Sequence, residues 1–246
     1  MKLDFLGTGS GDYRGSRRQP CAALLGTVLL DCGAGVTGRL YDIGRFDDVE
    51  AILISHLHTD HIAGLFDFLL HTFIARRTRP LTVLAPPGLS RILQAVYAAE
   101  ATVKRPEELY PFRLVEGTAI EERIGAWTIR SVPLDHTVLD LGYHLSKDGL
   151  SVFFSGDTRE PSAAGGLTAD YLIHEATYPE SHAHLAREYG HSTGVDAART
   201  AAAMGARRLW LTHLSDLPGG DDEIASEARR IFPGSVVAED RSSYPL

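Results

Sequence analysis

Three imidazoles and a carboxylate fall within one short stretch, Ser55-His56-Leu57-His58-Thr59-Asp60-His61. Nitrogen and oxygen donors at this density suit a transition metal. Imidazole favours zinc, iron or nickel, and the added carboxylate keeps zinc, iron and manganese in play. In extended backbone, residues two apart face the same side, so His56 and His58 can grip one ion together. A turn into a helix then presents Asp60 and His61 to a neighbouring position. The alternative is a fortuitous surface cluster, but packing has no need of one after an apolar strand. One loop cannot complete two coordination spheres, so distant donors should reach the same rim. His136 in Pro133-Leu-Asp-His136-Thr, Asp157 in Ser155-Gly-Asp157-Thr and His213 in Leu211-Thr-His213-Leu-Ser have the right local form. Each lies where an apolar strand meets a loop, the usual place for a site built on a rigid sheet. Alone, each reads equally well as a turn or strand-end residue; with the first loop they make a set.

The elements that must hold these groups are legible from periodicity. Strands are predicted at Leu3–Leu6, Ala22–Leu25, Thr27–Asp31, Ala51–Ser55, Leu81–Ala85, Trp127–Pro133, Ser151–Ser155, Tyr171–His174 and Leu209–Thr212. Several are too apolar to be half-exposed, so helices should cover one face of each sheet. The clearest helix begins near Ile62, with Ile62, Leu65, Phe66, Leu69, Leu70 and Phe73 on one face and Pro80 beyond its end. Thr193-Gly-Val-Asp196 has the capping-box form, opening a helix that stops at Gly205. Further helices are predicted from Pro86-Pro87-Gly88 to about Ala101 and over Asp221–Ile231. Strands come in runs, not one-for-one with helices, which points to two packed sheets with helices outside. With no repeat or linker to divide it, the chain reads as one domain over residues 1–246.

Composition narrows the function classes. A formal net charge of −8 argues against broad electrostatic attraction to nucleic acid. Two basic groups remain: Arg14, Arg17 and Arg18, which can reach a phosphate, and Arg76, Arg77 and Arg79, which read as solvated surface charge. Gly7, Gly9 and Gly11 lack the context of a nucleotide-phosphate loop and read as a tight turn near the metals. The two cysteines, Cys21 and Cys32, cannot form a disulfide framework and read as buried hydrophobes. No export signal and no run of roughly 20 apolar residues is present. The expectation is a cytoplasmic protein that does not enter membranes.

Together these residues resemble the metallo-β-lactamase superfamily, whose hallmark is His-x-His-x-Asp-His followed by a later His, Asp and His. The likeness extends to Phe5-Leu-Gly-Thr-Gly9 and Leu30-Asp-Cys-Gly33. It implies an α+β fold, an αββα sandwich of two mixed sheets with the site at one edge. Two more motifs, His174-Glu175-Ala176-Thr177 and Gly190-His191-Ser192-Thr193, are similar to the ribonuclease Z branch. That resemblance implies His56, His58 and His136 on one divalent ion, Asp60, His61 and His213 on a second, and Asp157 bridging both. The ions implied are zinc, with manganese or iron as alternatives. It also implies a Glu175–His191 pair that handles the leaving group. The branch's long arm, which grips tRNA between the positions of His136 and Asp157, has no room here. The intervening residues suffice only for a hairpin, Leu141–Ser146 returning through Leu150–Phe154. The familiar Asp-Cys-Gly-Glu-Gly-Thr also reads Asp31-Cys-Gly-Ala-Gly-Val36.

The chemistry expected is hydrolysis of a phosphodiester, at an RNA 3′ end or in a small or cyclic nucleotide. Two cations neutralise the anionic substrate and deprotonate a water held between them. Asp60 orients that water or takes its proton, and His191, kept basic by Glu175, protonates the leaving alkoxide. His174 is expected to support the site from behind, and His71, His144, His182 and His184 to be surface or packing residues. Trp127 is expected in the core. The competing readings are a hydrolase of esters, thioesters or lactones, which needs Glu175 and His191 less, and a non-catalytic binding protein. A homodimer is suggested by the resemblance.

Overall fold

The computed structural model describes residues 1–11, 20–100, 103–159, 166–217 and 219–246. Arg14, Arg17 and Arg18 lie outside these residues. Fourteen strands form among the described residues. The first sheet contains β1 (Lys2–Gly7), β2 (Ala22–Leu25), β3 (Val28–Leu30), β4 (Ala51–Leu53), β5 (Leu81–Ala85), β6 (Phe112–Glu116) and β14 (Ser243–Pro245). The second contains β7 (Glu121–Ile124), β8 (Trp127–Asp135), β9 (Leu139–Lys147), β10 (Leu150–Phe154), β11 (Tyr171–Glu175), β12 (Arg208–Thr212) and β13 (Ser235–Val237). The strand orders are β14-β1-β2-β3-β4-β5-β6 and β13-β12-β11-β10-β9-β8-β7. Each sheet is antiparallel on one side and parallel on the other, the parallel runs being β3-β4-β5-β6 and β10-β11-β12-β13.

Period-two alternation sorts the apolar side chains into three layers. Leu3, Phe5, Val28, Leu30 and Leu53 point inward from the first sheet to meet Ile129, Leu141, Phe154, Ile173 and Trp210 from the second. Their neighbours Leu29, Ile52 and Val83 point outward and pack on helices. These are α1 (Val36–Asp42), α2 (Thr59–Ile74) and α3 (Leu89–Ala99). Leu172, Leu209 and Leu211 do the same on the far side, against α5 (Gly194–Met204) and α6 (Gly220–Ile231). A short helix, α4 (Ala183–Tyr189), precedes α5. The result is the expected αββα sandwich, with Trp127 buried in the inter-sheet core. Each buried Leu or Phe contributes about 1.5–3 kcal/mol relative to exposure. Within the same core the Tyr143 hydroxyl donates to the Ile54 carbonyl at 2.9 Å, tying the second sheet to the end of β4.

The predicted strands and four predicted helices are present, with three kinds of difference. Strands β6, β7, β13 and β14 were not predicted, and neither were helices α1 and α4. Helix α2 begins at Thr59, not near Ile62, with His58 as its extended N-cap, so Asp60 and His61 belong to its first turn. Arg77 is not solvated surface charge: it is 5% exposed. It donates to the carbonyls of Val49, Arg79 and Pro80, and its guanidinium lies over the Tyr110 ring. Pinned there, it satisfies the carbonyl of buried Val49 ahead of β4 and two carbonyls on the approach to β5. Among the described residues no helix is long and apolar enough to cross a membrane. Both cysteines are free and buried.

Candidate metal centre

Five strand ends supply the site: those of β3, β4, β10, β11 and β12, all carboxyl ends of parallel strands, joined by β8 from the antiparallel side. Crevices outside such strand ends are the common binding place in open α/β sheets. The loop after β4 carries His56 and His58 and the first turn of α2 carries Asp60 and His61. His136 follows β8, Asp157 follows β10, and His213 follows β12.

The structure brings all seven together. His56 Nε2 lies 2.9 Å from His58 Nδ1, which lies 3.3 Å from His136 Nε2. His61 Nε2 is 3.2 Å from His213 Nε2, and Asp60 Oδ2 is 3.4 Å from His213 Nε2 and 3.6 Å from His61 Nε2. Asp157 stands between the two groups, its Oδ2 at 3.7 Å from His56 Nε2, 3.2 Å from His61 Nε2 and 3.3 Å from His213 Nε2. Donor atoms of His56, His58 and His136 converge closely enough to hold one ion, and those of Asp60, His61 and His213 to hold another.

Three observations fit divalent cations. The Oδ1 of Asp157 is buried with no hydrogen-bond partner, a costly state for a carboxylate oxygen unless a cation takes it up. Burial holds the His56, His58 and His136 rings below the ordinary histidine value, which keeps ligand lone pairs free of protons. The four histidines that converge through Nε2 each have Nδ1 engaged behind them. His61 Nδ1 lies 2.7 Å from Asp31 Oδ2, His56 Nδ1 2.9 Å from Asp140 Oδ2, His136 Nδ1 2.7 Å from the Gly190 carbonyl and His213 Nδ1 2.9 Å from Thr177 Oγ1. Outer partners of this kind fix the tautomer of metal-ligating histidines. For Asp60, burial raises the carboxyl, but His213 and His61 outweigh it and hold the group well below the usual carboxylate range.

Glu175 and His191 also meet at this rim. His191 Nδ1 lies 3.1 Å from Glu175 Oε1 and 3.9 Å from Asp157 Oδ2. Burial alone would lower His191; the Glu175 carboxylate overrides it and raises the ring to about 9. Glu175 is itself fully enclosed. Its Oε1 accepts the Thr158 N–H at 2.8 Å, and its Oε2 accepts the Thr177 hydroxyl at 2.7 Å. The capping box predicted at the start of α5 is present, with Thr193 and Asp196 each bonding the other's backbone N–H, which fixes the chain just after His191.

Chemistry-bearing residues outside the predicted set also appear. Asp31 and Asp140 are fully buried carboxylates at the back of His61 and His56. Asp31 lies within Leu30-Asp-Cys-Gly33, and Asp140 is a carboxylate set between two leucines in β9; that apolar setting was the available signal. His174 does not reach the donors: its Nδ1 bonds the Glu175 carbonyl at 2.7 Å, so it braces that strand end instead. His71, His144 and His182 bond Asp67, Thr168 and Ser181 away from the site. Gly11 lies against Asp60, where a Cβ would come within 3.1 Å of Oδ2; among the described residues the predicted tight turn is not formed, since Gly7 ends β1 and Gly9 bridges to Pro20 and Leu214.

The beta-lactamase superfamily domain matches residues 27–214. The chain belongs to that superfamily, in its ribonuclease Z-like branch. It is 31% identical to Ribonuclease Z of Anoxybacillus flavithermus, an alignment covering 100% of this chain and 97% of that protein. It is 32% identical to Ribonuclease Z of Geobacillus kaustophilus, covering 100% and 99%. The crystal structure of human tRNase Z, short form, superposes with a TM-score of 0.80 at 25% identity, covering 100% of this chain and 99% of that one. The chain is a metal-dependent hydrolase of the phosphodiesterase kind. Both ribonuclease Z alignments run over 304 positions, although this chain has 246 residues, so those relatives carry segments without a counterpart here.

Proposed function

We propose that this superfamily member is a dinuclear zinc phosphodiesterase. In this reading His56, His58 and His136 hold one ion, Asp60, His61 and His213 hold the other, and Asp157 spans both. The carrying observation is the convergence of these seven donors, with the Asp157 carboxylate central among them. Zinc suits a site rich in imidazole, with manganese and iron as alternatives. Bound there, a pair of divalent cations neutralises the phosphodiester and makes water nucleophilic near neutral pH.

The chain's own residues do the rest. Asp60, ionised and at the edge of the cluster, accepts a hydrogen bond from the attacking water and aims it. His191 holds a proton across neutral pH because Glu175 lies against its Nδ1, leaving Nε2–H to meet the leaving oxygen. A hydrolase of esters, thioesters or lactones has less use for that pair.

The substrate class we favour is a small or cyclic phosphodiester over precursor tRNA. Strands β9 and β10 join directly through Asp148-Gly149, so a tight hairpin occupies the place of a substrate-gripping arm. The net charge of −8 argues against broad electrostatic attraction to a polyanion. Metal-loaded protein should therefore hydrolyse bis(p-nitrophenyl) phosphate and cyclic nucleotides, and His58→Ala or Asp157→Ala should abolish both activities. Turnover of precursor tRNA at far higher kcat/KM than any small diester would reverse the substrate reading. A zinc-loaded protein that leaves every phosphodiester intact would overturn the phosphodiesterase assignment.

A further inference from the structure

We propose that Asp140 is the positioning residue that couples the two ion sites, holding the His56 ring and the Asp157 loop with one carboxylate oxygen. The inference rests on the metal reading above. Asp140 is the second residue of β9, between Leu139 and Leu141, and is fully buried. A carboxylate taken out of water is expensive unless it is paired. Among the described residues no lysine or arginine forms an ion pair with it. Its side-chain partner is His56, whose Nδ1 lies 2.9 Å from Oδ2.

The Ser55 hydroxyl also lies 3.0 Å from His56 Nδ1, but it donates its hydrogen to Asp31 Oδ2 at 2.9 Å. Towards His56 it can only accept. With Asp140 Oδ2 accepting as well, Nδ1 carries the proton and Nε2 keeps its lone pair for the space it shares with His58 and Asp157. The same Asp140 Oδ2 accepts the backbone N–H of Asp157 at 3.0 Å. One oxygen therefore orients a ligand of the first ion and anchors the residue placed to bridge both.

The loop is built around this contact. Gly156 adopts φ +59°, and a Cβ there would lie 2.6 Å from both Asp140 Oδ1 and the Ser55 Cβ. Only glycine lets the chain pass so close to the carboxylate. Asp140 Oδ1 meanwhile is buried with no hydrogen-bond partner. A group kept for stability alone would be satisfied on both oxygens or replaced by an apolar residue.

The test is competitive zinc titration of the full-length protein, with Asp140→Asn and Asp140→Ala beside the wild type. Thermal melts of each metal-free protein and NMR of the imidazole N–H protons of the zinc-loaded forms complete it. Asn keeps the oxygen but not the charge, and Ala removes both. The ion held by His56 should bind about 10-fold more weakly in Asp140→Asn and about 100-fold more weakly in Asp140→Ala, the range set by lost outer partners. The metal-free melting temperature of Asp140→Asn should equal or exceed that of the wild type, and its His56 Nδ1–H resonance should shift. Asp140→Asn carries the test if Asp140→Ala does not fold. Wild-type affinity for both ions in Asp140→Asn would overturn the role of Asp140 alone, as would a lower metal-free melting temperature with zinc binding intact. A wild-type chain that binds no zinc would overturn this role together with the metal reading beneath it.

Discussion

Replacing Glu175 by Gln tests the leaving-group half of the mechanism. The carboxylate raises His191 from the ordinary value of 6.5 to about 9 against the opposing effect of burial. At about 1.4 kcal/mol per pH unit, that is roughly 3 kcal/mol of preference for the imidazolium. The groups facing His191 include Glu175, Asp157, His61, His58, His136, His213 and Tyr178. Of these, Glu175 makes the closest charged contact, so its neutralisation removes the largest opposing effect to burial and lowers His191 from about 9. A raised histidine stabilises the fold fully below about 6.5 and loses that contribution as pH climbs through about 9. Wild-type metal-free protein should therefore lose stability over this window, and the variant should not. Cations held by the proposed donors would repel the imidazolium, so the alkaline limb of kcat in loaded enzyme should fall below 9. At pH 7 the variant should be slowed about 100- to 10,000-fold on a diester with an alkoxide leaving group, the span of general acid catalysis. Turnover of bis(p-nitrophenyl) phosphate should change far less, because 4-nitrophenolate departs without a proton. Gln also sets an N–H against one of the Thr158 and Thr177 donors, at a cost of about 1–3 kcal/mol in denaturant melts. Equal slowing for both leaving groups would refute the proton-donor role and leave Glu175 a structural anchor.

Stripping the ions with a chelator should lower the melting temperature, because a ligand at 100 times its Kd adds about 2.7 kcal/mol; identical melts with and without zinc would refute binding to the folded state. Gly64→Ala should destabilise the chain by about 3 kcal/mol or prevent folding. A Cβ there would lie 2.0 Å from the Gly33 carbonyl oxygen, where α2 presses on the loop after β3. A chemical denaturation midpoint equal to wild type would show that this packing is looser than the geometry requires.

Legibility in the sequence tracked burial. Strands β3, β4, β10, β11 and β12 are apolar because both faces are covered, and their runs announce themselves. The strands that escaped prediction sit at or near sheet edges and carry what edges carry. Phe112–Glu116 includes Arg113 and Glu116, Glu121–Ile124 opens on two glutamates, and Ser243–Pro245 ends in proline. Helix α4 offers only seven residues and two buried alanines, too little for a period to emerge. In the site, each donor was visible as a polar residue terminating an apolar run. Asp31 and Asp140 were harder, because an outer partner touches only another side chain and neither a repeat nor a spacing marks it. Arg77 was misread as a solvated charge because three backbone carbonyls, which sequence does not display, receive it.

The paired layout of the two sheets carries a consequence of its own. In the proposed assignment each ion draws donors from the loop and helix following β4 in the first sheet and from loops following β8, β10 or β12 in the second. Metal then acts as a rivet across the seam between two independently hydrogen-bonded ladders. Withdrawing it should leave far-UV circular dichroism unchanged while amide exchange quickens at Ser55–His61 and Ser155–Thr158. A cell starved of zinc would in that case hold a chain with its strands in place and its seam open to proteases.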